Sequence, residues 1–261
     1  MTTELKLERD GPVLIATLDR PQRMHALGSQ LLEELPRAWA EAAADPSLRA
    51  LVVTASGDRA FCTGMDLQEA AERGEARPLA ENHDSMRVTP LNCDVWLPTI
   101  VAVNGVCTGA GLHFVADADV VVASSNASFI DTHVNVGQVA VVEPITLLDR
   151  IGVGNALKMV VLGRAGRLDA AEALRISLVD EVVEPEQLRD RAIELARAAA
   201  SGSPSAIEKS KRAIRGALDL PRDEALQRGW DLMLEQRANH PDAVEGPRAF
   251  VERRDPEWTV P

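Results

Sequence analysis

Two glycine-containing runs hold the backbone groups best suited to chemistry. In Ala60-Phe61-Cys62-Thr63-Gly64-Met65-Asp66-Leu67, a glycine precedes an aspartate able to cap the next helix. That pattern leaves the Met65 N–H exposed at a helix N-terminus, where it can hold an oxyanion. The run Val103 to Leu112, with Gly105, Gly109 and Gly111, follows a short apolar stretch. Its small residues let a ligand approach the main chain, and Ala110 would supply a second amide. One such loop need only be a turn, but two of them, each after a strand, point to a paired site. Neither loop has the spacing of a P-loop or of a dinucleotide-binding fingerprint.

The elements that must carry these loops are legible from periodicity. Leu5, Leu7 and Val13 to Leu18 alternate around Asp10-Gly11-Pro12, the pattern of a hairpin. Leu31, Leu32, Leu35, Ala38 and Trp39 recur at helical spacing from Ser29 until Asp45-Pro46. Ala50–Thr54, Ile100–Val103 and Val120–Val122 read as buried strands, so strands alternate with helices in an α/β core with crossover connections. From about Glu184 the chain is Ala-, Leu-, Arg- and Glu-rich with helical periodicity, broken at Ser201-Gly202-Ser203-Pro204 and His240-Pro241.

Composition narrows the partners. At 261 residues the chain can bury a sizeable core, and its 28 basic and 40 acidic residues leave a net charge of −12. That balance argues against nucleic acid, and no apolar stretch is long enough for a membrane span. Cys62, Cys93 and Cys107 are odd in number and lack any CxxC pairing, so neither a disulfide framework nor a thiolate metal site is expected. Met1 to Arg9 has no apolar core of a leader, and a cytoplasmic location is the expectation.

Taken together, several runs resemble the crotonase (enoyl-CoA hydratase/isomerase) superfamily. They are Phe61 to Leu67; Val101 to Gly105 with Gly109-Ala110-Gly111; Asp117-Ala118-Asp119 with its valines; Gly163-Arg164 through Ala170 to Leu174; and Leu178-Val179-Asp180. Arg20-Pro21 to Leu27 and Phe250-Val251-Glu252 resemble its first and last signatures. The resemblance implies an α/β spiral of ββα units over residues 1–190 and a C-terminal helical region, 191–261, used in trimer or hexamer assembly. It implies an acyl-CoA thioester as substrate, no further cofactor or metal, and a carbonyl oxygen held between the amides of Met65 and Ala110, with Gly64, Asp66 and Gly109 shaping that pocket.

The sequence also departs from the family pattern. Where family hydratases place two glutamates around the α and β carbons, this chain has His113 and His133. Histidine can take or give a proton near neutrality, but two imidazoles do not hold a water as two carboxylates do. Asp131 is expected either to orient His133, both lying on one side of a strand-like stretch Phe129–His133, or to cap a helix beginning near Thr132. Glu143, set among Val139, Val141, Val142 and Ile145 before Pro144 at the first position of a helix, is either a base with a burial-raised pKa or an ordinary helix-start acid. By resemblance, His25 lies near the thioester, Arg23 near the CoA phosphates, and Phe250 and Arg253 near a neighbour's pocket. Trp39, Trp96 and Trp230 read as core or interface residues, and Cys62 and Cys107 lack a partner base. Three functions remain open: a hydratase or isomerase of acyl-CoA using His113, His133 or Glu143, a β-diketone carbon–carbon hydrolase, or an acyl-CoA binder without catalysis.

Overall fold

In a computed structural model of the chain, which describes residues 3–72 and 86–259, the expected hairpin opens the fold. Strands β1 (Leu5–Asp10) and β2 (Val13–Leu18) pair antiparallel, Leu5 against Leu18 through Asp10 against Val13. Helix α1 (Ser29–Ala44) then buries Leu31, Leu35, Ala38, Trp39 and Ala42, a stripe at the three- and four-residue spacing read from the sequence.

From there one unit repeats. β3 (Ala50–Ala55) enters a large sheet, β4 (Ala60–Cys62) enters a smaller one, and α2 (Leu67–Glu72) follows. The next turn is β5 (Thr99–Val103), β6 (Val106–Thr108) and α3 (Gly111–Asp117). The third is β7 (Val120–Ser124), β8 (Ser128–Ile130), α4 (Val142–Thr146) and α5 (Leu148–Leu162). β9 (Leu168–Asp169), α6 (Ala170–Arg175) and β10 (Glu181–Val183) close the spiral. The large sheet has the order β1-β2-β3-β5-β7-β10, parallel after the hairpin, and the small one β4-β6-β8-β9.

Parallel strands covered on both sides read as continuous apolar runs, and every residue of β3 is buried. Trp39, Phe61, Phe114 and Phe129 fill the core between the sheets. The other face of the large sheet is covered by α7 (Leu188–Ala200), whose Leu188, Ala192, Ala196 and Ala200 pack on Ile15, Val52, Ile100 and Val122. A division at residues 190 and 191 therefore cuts through a helix that belongs to the spiral. The small alanine stripe lets α7 lie close to the sheet, and the chain leaves the sheet only at α8 (Pro204–Gly216), which Ser203 caps by accepting from the Ala206 N–H.

α8 is tied back to the core by Lys211 on Asp119 at 2.6 Å and by Arg215, which donates to the Asp117 carbonyl at 2.6 Å. α9 (Arg222–Asn239) and α10 (Asp242–Glu252) complete the helical region. Its apolar side chains face outward: Ile214, Leu226, Trp230 and Phe250 are all exposed. A cavity of about 550 Å³ lies between α8 and α9, lined by Ala213, Ile214, Leu226, Trp230 and Met233 and remote from both glycine loops. Trp39 is fully buried in the core, whereas the Trp96 ring is stacked by the Arg212 guanidinium at 4.2 Å. Among the described residues, no helix is long and apolar enough to cross a membrane. Of the segment Glu69 to Val95, expected to set the depth of an acyl pocket, residues 73–85 lie outside the described residues.

Candidate active site

The two glycine loops meet main chain to main chain. Gly64 has φ +86°, and a Cβ there would stand 3.2 Å from both the Ala110 nitrogen and the Thr108 carbonyl oxygen. Gly109, at φ +52°, would place a Cβ 3.6 Å from the Gly64 Cα. Positive φ strains any side chain at both positions, and at Gly64 the tight approach to the facing main chain adds to it. Met65 is held by a bridge to Leu27: the Leu27 N–H donates to the Gly64 carbonyl at 2.7 Å and the Asp66 N–H donates to the Leu27 carbonyl at 3.1 Å. Among the described residues, neither the Met65 N–H nor the Ala110 N–H donates to an acceptor of the chain. Two adjacent amides without an internal acceptor are the arrangement an oxyanion requires.

Beside this pair the chain assembles four ionisable groups from three elements. His113 projects from the first turn of α3, three residues after Ala110. Glu143 comes from α4, and Asp131 and His133 flank the end of β8. Glu143 Oε1 lies 3.5 Å from His113 Nε2 and 3.9 Å from His133 Nε2, so the carboxylate stands between two imidazoles. His113 is buried, and its Nε2, though at ion-pair distance from Glu143, is not aligned for a hydrogen bond and has no other partner. Asp131 Oδ1 accepts both from the His133 N–H at 2.9 Å and from Nδ1 at 3.0 Å. Because a carboxylate only accepts, Nδ1 carries a proton and Nε2 is the atom turned to Glu143.

The charges follow from these contacts. The Asp131 hydrogen bond, opposed by partial burial and aided by Glu143, holds the His133 pKa above its ordinary 6.5. Burial works to raise Glu143, but contacts with His113 and His133 outweigh it, so its carboxyl titrates below the ordinary 4.5. Asp131 is likewise lowered, burial being outweighed by its bonds to His133. The expectation of a burial-raised Glu143 is thus corrected. Its flanking Val139, Val141 and Ile145 are exposed, and the imidazoles rather than the valines set its charge. Two further local expectations change. The strand ends at Ile130, and His133 begins a 3-10 turn whose N-cap is Thr132, so Asp131, one residue earlier, binds both the His133 N–H and its ring. Pro144 is the third residue of α4 rather than the first.

Other residues expected at the site are engaged elsewhere. The His25 ring accepts from the Arg20 N–H at Nδ1 and donates from Nε2 to the Ser56 carbonyl, both at 3.0 Å, which leaves no nitrogen for a ligand. Asp66 caps α2 through the Glu69 N–H at 2.9 Å and pairs with Arg20 Nη1 at 2.5 Å, so both its oxygens are committed. Arg23 reaches Glu72 at 3.4 Å. Phe250, expected near a neighbour's pocket rather than its own, is 85% exposed on α10. Cys62 and Cys107 are paired in register between β4 and β6 and fully buried, and burial pushes the Cys62 thiol up to about 12, so neither is a nucleophile. Arg20 was not singled out in the sequence, where its only signal was the Arg20-Pro21 pair; the fold buries its guanidinium among three carboxylates.

Residues 8–261 match the family model described as enoyl-CoA hydratase/isomerase. The chain belongs to the enoyl-CoA hydratase/isomerase family. Within this family it is 33% identical over 254 residues, 96% of each chain, to the (E)-benzylidenesuccinyl-CoA hydratase of Thauera aromatica. It is 35% identical to the carnitinyl-CoA dehydratase of Proteus mirabilis, covering 99% of both. Among solved structures, an enoyl-CoA hydratase/isomerase from Mycobacterium paratuberculosis superposes with a TM-score of 0.88 at 35% identity, covering 99% of this chain and 98% of that one. An enoyl-CoA hydratase from Bacillus anthracis gives 0.88 at 28% identity, covering 99% and 100%. The spiral of ββα turns is therefore the crotonase fold, and the chain is an enzyme of the hydratase/isomerase type acting on acyl-CoA. No group of three His, Cys, Asp or Glu that could hold a metal is found among the described residues.

Proposed function

We propose that the enzyme shifts the double bond of an unsaturated acyl-CoA through an enolate, with Glu143 as the single proton carrier. The observation that supports this is the Glu143 carboxylate set between His113 Nε2 and His133 Nε2, beside the paired amides. Glu143 Oε1 takes a proton from the acyl chain, and the electron pair moves into the thioester carbonyl. The negative oxygen accepts from the Met65 and Ala110 N–H groups, each contributing about 3 kcal/mol at the transition state. Returning the proton at the far carbon of the dienolate moves the double bond. The bond to Asp131 favours the protonated form of His133, which in turn favours the ionised form of Glu143 before the step, and His113 Nε2 supplies the hydrogen bond that the chain itself leaves unmade.

Relatives named as a hydratase and a dehydratase support water addition instead, but that reaction needs water held by acceptor groups, and two histidines stand at the matched positions. A β-diketone carbon–carbon hydrolase is a second reading, favoured by the Asp131–His133 pair; it uses the neutral form of His133, which the raised pKa shifts to higher pH. The CoA phosphates would meet Arg23, and Gly64 and Gly109 admit the thioester. The outward apolar side chains of the C-terminal helices, among them Ile214, Trp230 and Phe250, support a homotrimer or a hexamer. The reducing cytoplasm suits its three free cysteines.

Incubation of trans-3-hexenoyl-CoA in H2¹⁸O tests the reading. The expected product is the 2-enoyl thioester without ¹⁸O. Incorporation of ¹⁸O at the β carbon of trans-2-hexenoyl-CoA, incubated in parallel, marks a hydratase, and cleavage of a β-diketone without CoA binding marks the hydrolase. Binding without turnover of any thioester would leave only an acyl-CoA binder.

A further inference from the structure

The 20–28 segment is braced against the first glycine loop, and the centre of the brace is Arg20. Its side chain is only 8% exposed, and the guanidinium reaches four acceptors on three segments. Nε donates to Glu4 Oε1 at 2.7 Å, Nη2 to Glu69 Oε2 at 2.8 Å, and Nη1 to both the Ala26 carbonyl at 2.9 Å and Asp66 Oδ2 at 2.5 Å. The two Nη1 acceptors are the chain neighbours of Leu27 and Met65, the residues that bridge in parallel. One nitrogen thus grips both sides of the bridge that fixes the direction of the Met65 N–H. The left-handed backbone of Met24 and His25, the His25 ring bonds and the Thr63 hydroxyl on the Met24 carbonyl at 3.2 Å hold the same segment from its other side.

We infer that Arg20 is a positioning residue for the oxyanion-holding Met65 amide, acting through Asp66 and the Leu27–Met65 bridge without touching substrate. An amide must point at the oxygen within a few tens of degrees to polarise it, and a planar fork serving two acceptors fixes a direction that a lysine ammonium does not. Asp66 Oδ1 also caps α2 through the Glu69 N–H, so the residue after Met65 is held at both carboxylate oxygens. This role rests on the reading of Met65 as an oxyanion donor.

The test reads the thioester carbonyl directly. The probe is the tightest-binding saturated thioester of a panel from acetyl-CoA to lauroyl-CoA, labelled with ¹³C at the carbonyl. Its infrared stretch is measured bound to the wild-type enzyme, Arg20→Lys, Asp66→Asn and Glu4→Gln, with α-proton exchange in D2O followed by NMR. In the wild type the stretch moves to lower frequency on binding. Arg20→Lys and Asp66→Asn are expected to lose most of that shift and to exchange about tenfold to a hundredfold more slowly, with the pH profile unmoved. Glu4→Gln, which alters the far side of the same guanidinium, is expected to keep shift and rate. Should Arg20→Lys fail to fold, Asp66→Asn carries the test alone. A full shift in Arg20→Lys or, in its absence, in Asp66→Asn overturns the positioning role, as does an equal loss in Glu4→Gln. A wild-type complex with no shift, or no binding of any panel member, overturns the oxyanion reading itself.

Discussion

The 20–28 segment and the face built by His113, Asp131, His133 and Glu143 are both buried and rich in charge, yet their histidine ring nitrogens are treated differently. Around Arg20 the guanidinium reaches four acceptors, and His25 spends both ring nitrogens on backbone groups. On the other face, His113 Nε2 and Asp131 Oδ2 are buried with no hydrogen-bond partner, and Glu143 touches its imidazoles at 3.5 and 3.9 Å rather than at hydrogen-bond length. Unmade bonds in a buried site cost stability and are retained where a ligand completes them. Residue type therefore does not separate a structural histidine from a functional one; the bonding of its ring nitrogens does.

Removing the carboxylate is the harshest way to break this contrast. Glu143→Gln keeps the shape of the side chain, and α-proton exchange is expected to fall by about 100-fold to 10,000-fold, with a loss of stability limited to what its lowered pKa contributes. The converse change, His25→Ala, is expected to cost about 2–3 kcal/mol in urea unfolding, because it strands the Arg20 N–H and the Ser56 carbonyl, with the pH profile of exchange unaltered. Equal losses of activity and stability in both variants would erase the distinction between the two regions.

Asp131→Asn sharpens it. With Asp131 present, the midpoint of His133 lies above pH 6.5 and that of Glu143 below pH 4.5, so exchange should lose its acid limb below 4.5 and its alkaline limb above 6.5. The raised His133 contributes stability below pH 6.5 that is lost as pH rises through its folded value; the depressed Glu143 contributes above pH 4.5, lost as pH falls through its own. Asp131→Asn should move the alkaline limb to lower pH and slow exchange about tenfold at neutrality, whereas Asp131→Glu should recover part of the loss. The smallest effect is expected at Arg23→Ala. Its half-exposed contact with Glu72 is worth under about 1 kcal/mol, so stability should not change, and a two- to threefold rise in KM would mark contact with the CoA phosphates.

Much of this was legible in the sequence, for reasons that differ by residue. The hairpin, α1 and the three central strands announce themselves because their burial imposes periods of two, of three to four, or continuous apolar runs. Gly64 and Gly109 could be read as site glycines because a positive φ, and at Gly64 a tight main-chain approach, favours the residue without a side chain. His113, His133 and Glu143 could be singled out by type and position, but not their mutual contact, since β8, α3 and α4 converge only through the spiral. The Glu143 pKa was misjudged because its chain neighbours are apolar and its spatial neighbours are not. Arg20 escaped notice since its carboxylates at positions 4, 66 and 69 are brought together by tertiary structure alone. The α7 boundary was missed because a helix that covers a sheet and one that leaves it share the same helical periodicity.

The central claim is that Glu143, between two imidazoles, carries the proton at an enolate held by the Met65 and Ala110 amides. A crystal structure of the Glu143→Gln enzyme with trans-3-hexenoyl-CoA tests it most directly. The predicted complex has the thioester oxygen within hydrogen-bond reach of both amides and the residue 143 amide facing the α carbon, with His113 and His133 on either side of it. A thioester oxygen bound elsewhere, or both histidines turned away from the acyl chain, would contradict it.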